Sequence, residues 1–432
     1  MPHVEVAATN AAGRDYLTVT SYAEAEEVLR RAQEFSISGN KPGAAPYLRG
    51  HVATIDGRQH LERRRRYRDL FKASSLAGYD ASFATSVRAT LDWYRRGSEE
   101  PTGTVSFDLV EALRRAYGQV IAELIGLDVT HDSPAWDAFQ RDVDAIVEVV
   151  AADFSQGDVQ EVHARGLEAS AHLRDAVLRP AIARRRALIE RARVAATEPV
   201  VPQDIVSFML LARETTADSP DASMEEWGDD AILRECQGFL VGGANNPSAS
   251  AAWALLELER WLEGHPEDRS RLADPAFLEA VVKESLRLHR TGAPFLIRQA
   301  LVDVELRTSG LRIAAGQWVA VDIPQANRDP AVFGPDAERF DPHRGGTGDQ
   351  RPYGLAFATG PHVCIARPMM VDDDERSARL AMQVEALAVL LAAGVRTDPR
   401  KPPTPAAHGG ERFAAFPVLM GGGSPVAADG GE

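Results

Sequence analysis

The sequence predicts a mainly α-helical protein with a small β subregion. Helical patterning fills most of the chain from Ser21 to about Leu288, strand-like alternation begins only at Val302, and one segment, Cys236 to Leu256, carries no formal charge.

The helical segments are AEAEEVLRRA, RQHLERRRRYRDLF, FDLVEALRRAYGQVIAELIG and a long stretch through ARRRALIERARV. The uncharged segment has the length of a membrane span. Its Gln237, Asn245, Asn246, Pro247, Ser248 and Ser250 would be costly in lipid, so it reads as one long buried helix, kinked near Pro247. Asp274 and Pro275 suit the N-cap and first position of a further helix, KESLRLHR. Leu278, Val281, Val282 and Leu286 form its apolar stripe. Glu284 and Arg287 lie off the stripe, where periodicity alone gives a solvated ion pair. Val302, Val304 and Leu306 alternate with polar residues, Thr308-Ser309-Gly310 turns the chain, and Leu311, Ile313 and Trp318 to Val321 follow. The stretch NRDPAVFGPDAERFDPHRGGTGDQRPYG is too long for a simple connection and reads as an ordered functional loop. A last helix is expected from about Ser377 to Leu391. Residues 1–420 are expected to form one domain, with 421–432 a disordered Gly-rich tail.

The chain has 432 residues, with 63 acidic and 48 basic side chains and a net charge of −15, which argues against a general nucleic-acid binder. At 44% hydrophobic and 26% charged residues it can bury a large core. Two cysteines make no disulfide framework and point to a reducing cytoplasm. The start, MPHVEVAATNAAGRDY, shows neither a signal peptide nor an anchor, so a cytoplasmic monomer without membrane attachment is expected. Cys236 has no partner at metal-ligand spacing and reads as a buried structural thiol.

Cys364 stands where a Gly/Pro loop enters an expected helix, in Phe357-Ala-Thr-Gly-Pro-His-Val-Cys-Ile-Ala366. Amide dipoles at such a position favour the thiolate, the form that ligates metal. A small buried hydrophobe is the plainer alternative. The segment closely resembles the haem-binding loop of the cytochrome P-450 superfamily in its bacterial soluble form, Phe-x-x-Gly-x-His-x-Cys-x-Gly. Phe357, Gly360, His362 and Cys364 match, and Ala366 replaces the final glycine.

The resemblance runs along nearly the whole chain and implies the cytochrome P-450 fold, one haem b and Cys364 as axial thiolate on the iron. It implies His60, Arg64, Arg298 and His362 as partners of the haem propionates, with Gly243 and Ala244 also at the cofactor. Glu284 and Arg287, with Arg339 in AERFDP, resemble the family's structural triad. Ala293, Pro294, Phe295 and Leu296, the loop from about Asn40 to Ile55 and the stretch around Ala151 to Arg165 would border a pocket for a small organic molecule. The rest of the Arg63 to Arg66 run reads as a solvated basic face, suited to steering a ferredoxin fed by a ferredoxin reductase.

Two departures qualify the resemblance. The family's central helix usually carries an acid followed by an alcohol, which relay protons for oxygen activation; here Asn245 and Asn246 stand there. Neither reproduces acid–base relay chemistry. An atypical reaction is therefore expected, a cyclisation or rearrangement that draws on peroxide or on a weak N–O bond in the substrate. An ordered water beside Asn246 in an otherwise conventional monooxygenase is the alternative, and a haem ligand sensor or carrier a remote one. Beyond Cys364, the segment MVDDDERS lengthens the path to the last helix. Asp372 to Asp374 read as a solvated bulge, with altered docking of a redox partner as the alternative.

Overall fold

The computed structural model describes residues 6–7, 14–41, 43–98, 103–131, 133–152, 159–195, 204–217, 228–344, 350–373, 379–406 and 410–421; the expected tail at 422–432 lies outside them. The chain opens with α1 (Tyr22–Arg30), α2 (Ala45–Leu48), α3 (Gly57–Tyr67) and α4 (Ala73–Gly97). Ser21 caps α1, accepting from the Glu24 amide while its hydroxyl donates to the Glu24 carboxylate. Next come α5 (Leu109–Ile125), α6 (Trp136–Ala152), α7 (Gln160–Leu173), α8 (Arg179–Val194) and α9 (Ile205–Ala217). Asp108 accepts from the Glu111 amide at the start of α5, which ends at Gly126 in the left-handed region, φ 96°.

The expected single central helix is two helices, α10 (Asp229–Gly243) and α11 (Asn245–Gly264), parted at Ala244. Pro247 has no amide hydrogen to give the Gly243 carbonyl, so the break falls one turn before the proline. Asp274 caps α12 (Pro275–Leu288) by accepting from the Ala276 amide. Short turns α13 (Ile323–Ala326), α14 (Pro330–Phe333) and α15 (Arg367–Met370) precede α16 (Met382–Ala392). The last helix therefore starts at Met382 rather than near Ser377, which is itself outside the described residues.

Strands β1 (Val6–Ala7), β2 (Tyr16–Val19), β3 (Phe35–Ser36), β4 (Val105–Asp108), β5 (Phe295–Ala300), β6 (Val304–Glu305), β7 (Arg312–Ile313), β8 (Trp318–Asp322), β9 (Arg396–Thr397), β10 (Thr404–Pro405), β11 (Phe413–Ala415) and β12 (Pro417–Met420) form small sheets. The largest runs β1-β2-β8-β5-β3, with only β2 and β8 parallel. Others pair β4-β12-β9, β6-β7 and β10-β11. One hydrophobic core, from Ala44 to Met420, packs around α5, α10 and α11, with smaller clusters beneath the large sheet. Among the described residues no helix is long and apolar enough to cross a membrane.

Candidate functional site

Residues Phe357 to Cys364 form a closed loop, in which the Cys364 amide donates to the Phe357 carbonyl at 2.9 Å. Gly360 makes the loop possible: its φ is 72°, and a Cβ there would stand 2.5 Å from the Leu29 carbonyl oxygen of α1. Ala366, by contrast, has φ −84°, so nothing in its backbone requires the family's glycine. Cys364 faces a cavity of two overlapping lobes, each of about 260 Å³. The sulfur lies deep in the protein although its side chain is open to that cavity. Burial pushes the thiol up, while the Ala366 amide and the Arg290 and Arg64 guanidiniums pull it back toward the thiolate.

Cationic groups gather beside the cysteine. On α3, His60 and Arg64 lie one turn apart and both line the cavity; Arg64 donates to the Val363 carbonyl at 2.7 Å. The His60 and His362 rings are 4.0 Å apart, and burial, then the charges of His362 and Arg64, push His60 down to about 4. On β5, Arg298 and Leu296 share the face toward the cavity. Arg298 is buried, with the Ile297 carbonyl at 2.9 Å as its hydrogen-bond acceptor. His362 Nε2 also lies 3.4 Å from Asp56, a residue that sequence reasoning missed. Burial works to raise the Asp56 carboxyl, but His362, Ser36 and the amides of Ile37 and Ser38 outweigh it and hold it well below the carboxylate range.

Asn245 and Asn246 diverge. Asn245 is buried and donates to Asp144 of α6 at 3.0 Å; an acid here would set two carboxylates within hydrogen-bond distance. Asn246 lines both lobes, and its Oδ1 is buried without a hydrogen-bond partner among the described residues. Its backbone carbonyl accepts from the hydroxyls of Ser250 and Thr291, at 3.0 and 3.1 Å, and both residues line the same cavity. Gly243 lies on the wall, where a Cβ would come 2.7 Å from Ile121. Ala244 instead packs into the core.

The pocket expectations divide in the same way. Ala293 and Leu296 line the cavity, together with Asn40, Leu48, His51 and Val52. Phe295 does not: strand alternation turns it to the Tyr16, Ile297 and Ala320 cluster beside Trp318. Pro294 accepts from the Ile323 amide and is not on the wall. Val147 and Val150 line it just before the expected stretch, of which residues 153–158 lie outside the described residues.

Glu284 and Arg287 are buried rather than solvated, joined by two hydrogen bonds of 2.7 Å. The second arginine on Glu284 is Arg344, at 3.0 Å, not Arg339, whose exposed side chain leaves only its carbonyl to accept from Arg287 and Arg344. Arg63 departs from the solvated-face expectation. It is buried and bonds Glu235 of α10 at 2.5 Å, while Tyr67 and the Val52 amide complete the carboxylate's shell at 3.0 and 2.9 Å. Cys236 beside it is fully buried, and burial pushes its thiol up. Asp373 is exposed, in keeping with the solvated-bulge expectation, whereas Asp372 is half-buried. Asp373 accepts from Tyr353 and faces Arg351 and Arg367, and Asp372 faces Arg379 at 3.3 Å; Asp374 lies outside the described residues.

The residues present fit a haem. A cysteine sulfur faces a large cavity, and a buried arginine, which donates to the Ile297 carbonyl, and a second basic group on α3 line the same cavity. Fold and site together define a haem-thiolate protein. The profile of the cytochrome P-450 family matches residues 6–272 and 266–370, and the chain belongs to that family.

Cytochrome P-450 714C2 of Oryza sativa subsp. japonica is 34% identical over 141 residues, 29% of this chain and 26% of its own length, so the chain spans about a quarter of that relative. Among solved structures, CalO2 superposes with a TM-score of 0.72 at 20% identity, covering 98% of this chain and 94% of its own. A mutant of P-450 EryK in complex with erythromycin B gives 0.68 at 22% identity, with coverage of 98% and 94%.

Proposed function

We propose that the chain is a haem-thiolate oxidoreductase, holding haem b through Cys364, that acts on a small organic molecule of specialised metabolism by a reaction that does not use an acid–alcohol relay. Bound through a thiolate, haem supplies redox chemistry at iron. His60, Arg64, Arg298 and His362 would hold its carboxylates. The observation that carries the reading is Asn246: its amide oxygen is orphaned in the cavity that Cys364 faces, while Asn245 is turned to Asp144. An amide there can orient a polar group of the substrate but cannot titrate. Cyclisation or rearrangement driven by peroxide or by a substrate N–O bond fits such a wall. The complex of P-450 EryK with erythromycin B supports a substrate of the same broad class.

A conventional monooxygenase is the second reading, favoured by the Ser250 and Thr291 hydroxyls on the same wall. A ferredoxin and its reductase would then deliver electrons at the face where Arg65 and Arg68 are exposed.

The test is mass spectrometry of metabolite extracts incubated with haem-loaded protein and a reductant, under air and under argon. An isomerised, cyclised or dehydrated product under argon is expected, and Asn246→Thr should leave its yield unchanged or lower. A product heavier by one oxygen, formed only in air and increased by Asn246→Thr, would overturn the relay-free reading in favour of the second. Cys364→Ser should alter the absorption spectrum of the bound haem.

A further inference from the structure

Beyond the four groups assigned to the haem carboxylates, the cavity wall carries two more arginines, Arg412 and Arg290, of which Arg290 also bears on Cys364. Arg412 lies at the approach to β11; its Nε donates to the Thr291 carbonyl at 2.7 Å, and its two Nη groups have no hydrogen-bond partner among the described residues. Arg290 donates from Nε to the Ala293 carbonyl at 3.0 Å and from Nη1 to the Ala356 carbonyl, which leaves Nη2 without a partner among them. Neither has a described carboxylate within ion-pair distance. Asp144 acts on Arg412 only from beyond that distance and is committed to Asn245 at 3.0 Å and Arg114 at 3.6 Å. Burial lowers both guanidiniums to about 10; Arg114 and then Arg290 add to this at Arg412, while Cys364 works against it at Arg290. Both side chains are half-buried and open to the cavity, so an anion that enters it meets charged donors without a partner among the described residues.

On the haem-thiolate reading Arg64, Arg298, His60 and His362 are assigned to the two haem carboxylates, which leaves Arg412 and Arg290 for another anion. The lobe that Arg412 lines carries an apolar share, Phe71, Ile121, Leu124, Val147, Val150 and Phe239, beside the polar side chains of Lys41, His51 and Asn246. With Nε engaged, the free end of the Arg412 fork presents two parallel donors, matched to the two oxygens of a carboxylate. Resting on the haem-thiolate reading, we infer that the substrate is an organic acid with an apolar body whose carboxylate is anchored by Arg412, with Arg290 as the second cation. Arg412 is thus a specificity-determining residue, and nothing in its role requires contact with the reacting atoms.

The test uses holoprotein and two probe acids, 4-phenylbutyrate and dodecanoate, each beside its primary amide, with binding read by calorimetry and by the shift of the haem absorption band. The wild type should bind each acid about tenfold to a hundredfold more tightly than its amide. Arg412→Gln should abolish that preference while leaving amide binding within twofold, and Arg412→Lys, which keeps the charge without the fork, should retain part of it. Equal binding of acid and amide to the wild type, failure of both acids to bind, or a preference that survives Arg412→Gln overturns the inference. Haem content and spectrum measured on every sample separate the outcomes: a protein that shows the acid preference but lacks a Cys364-dependent spectrum would leave Arg412 standing and remove the haem-thiolate reading.

Discussion

Arg344 and Arg339 stand five residues apart, and only one places its guanidinium on the buried Glu284 carboxylate. Arg344→Ala should cost about 1–3 kcal/mol, because Glu284 would lose a charge-assisted partner where water cannot replace it. Arg339→Ala should change stability by no more than about 0.5 kcal/mol, since its carbonyl remains. Urea denaturation of the holoprotein distinguishes them, and a larger loss at Arg339 would refute the assignment. The sequence could show that arginines follow Glu284 in this loop, but not which would turn inward. The same holds on α3, where His60, Arg63, Arg64 and Tyr67 share a face at helical spacing. The face is polar, so a search for apolar periodicity passes over it. Phe295 failed differently: being apolar and near the pocket says nothing about which side of β5 a residue takes.

At the scale of elements, the approach to β11 that carries Arg412 is tied to the end of α12 by an ionic clamp. His289 lies between Glu411 at 2.5 Å and Glu257 at 3.2 Å, with its ring stacked on Trp253 at 3.7 Å. Burial alone would lower His289, but the two carboxylates prevail and raise it above its ordinary 6.5. The folded form therefore keeps its proton to higher pH than the unfolded chain. The clamp's contribution is complete below 6.5 and is lost as pH rises through the raised value. Hydrogen exchange at Phe413 to Ala415, corrected for the intrinsic rate, should accelerate about threefold to tenfold across that range. His289→Gln should remove the dependence; exchange that stays pH-independent in the wild type would show that the clamp does not hold. The helices themselves were largely legible, because capping residues and periodicity coincide at Ser21, Asp108 and Asp274. The break at Ala244 was not located, because a proline's missing hydrogen is felt one turn upstream.

Across the whole molecule, α3 on the cysteine side is bolted to α10 by Arg63 and Glu235 within a wall of the cavity. Glu235→Leu should cost about 3–5 kcal/mol, since Arg63 would be left charged and dry, whereas Arg63→Met with Glu235→Leu should cost much less. Denaturation midpoints of the two variants decide this, and a single substitution costing under about 1 kcal/mol would refute it. The fold class could be read from the alternation of helical and strand periods, and the cysteine loop from its motif. The surplus cations could not, because Arg290 and Arg412 meet only when chain segments distant in sequence fold onto one wall.

That distance also has a consequence in time. The hydrogen bond from Arg64 to Val363 closes across 299 residues, and the one from the Tyr22 amide to Asp329 across 307. At a synthesis rate of about 5–20 residues per second, α3 waits roughly 15–60 s for the segment that completes its contacts. During that interval its basic face and the apolar wall behind it are open to chaperones and proteases. The cofactor site comes into being only after residue 363 has left the ribosome.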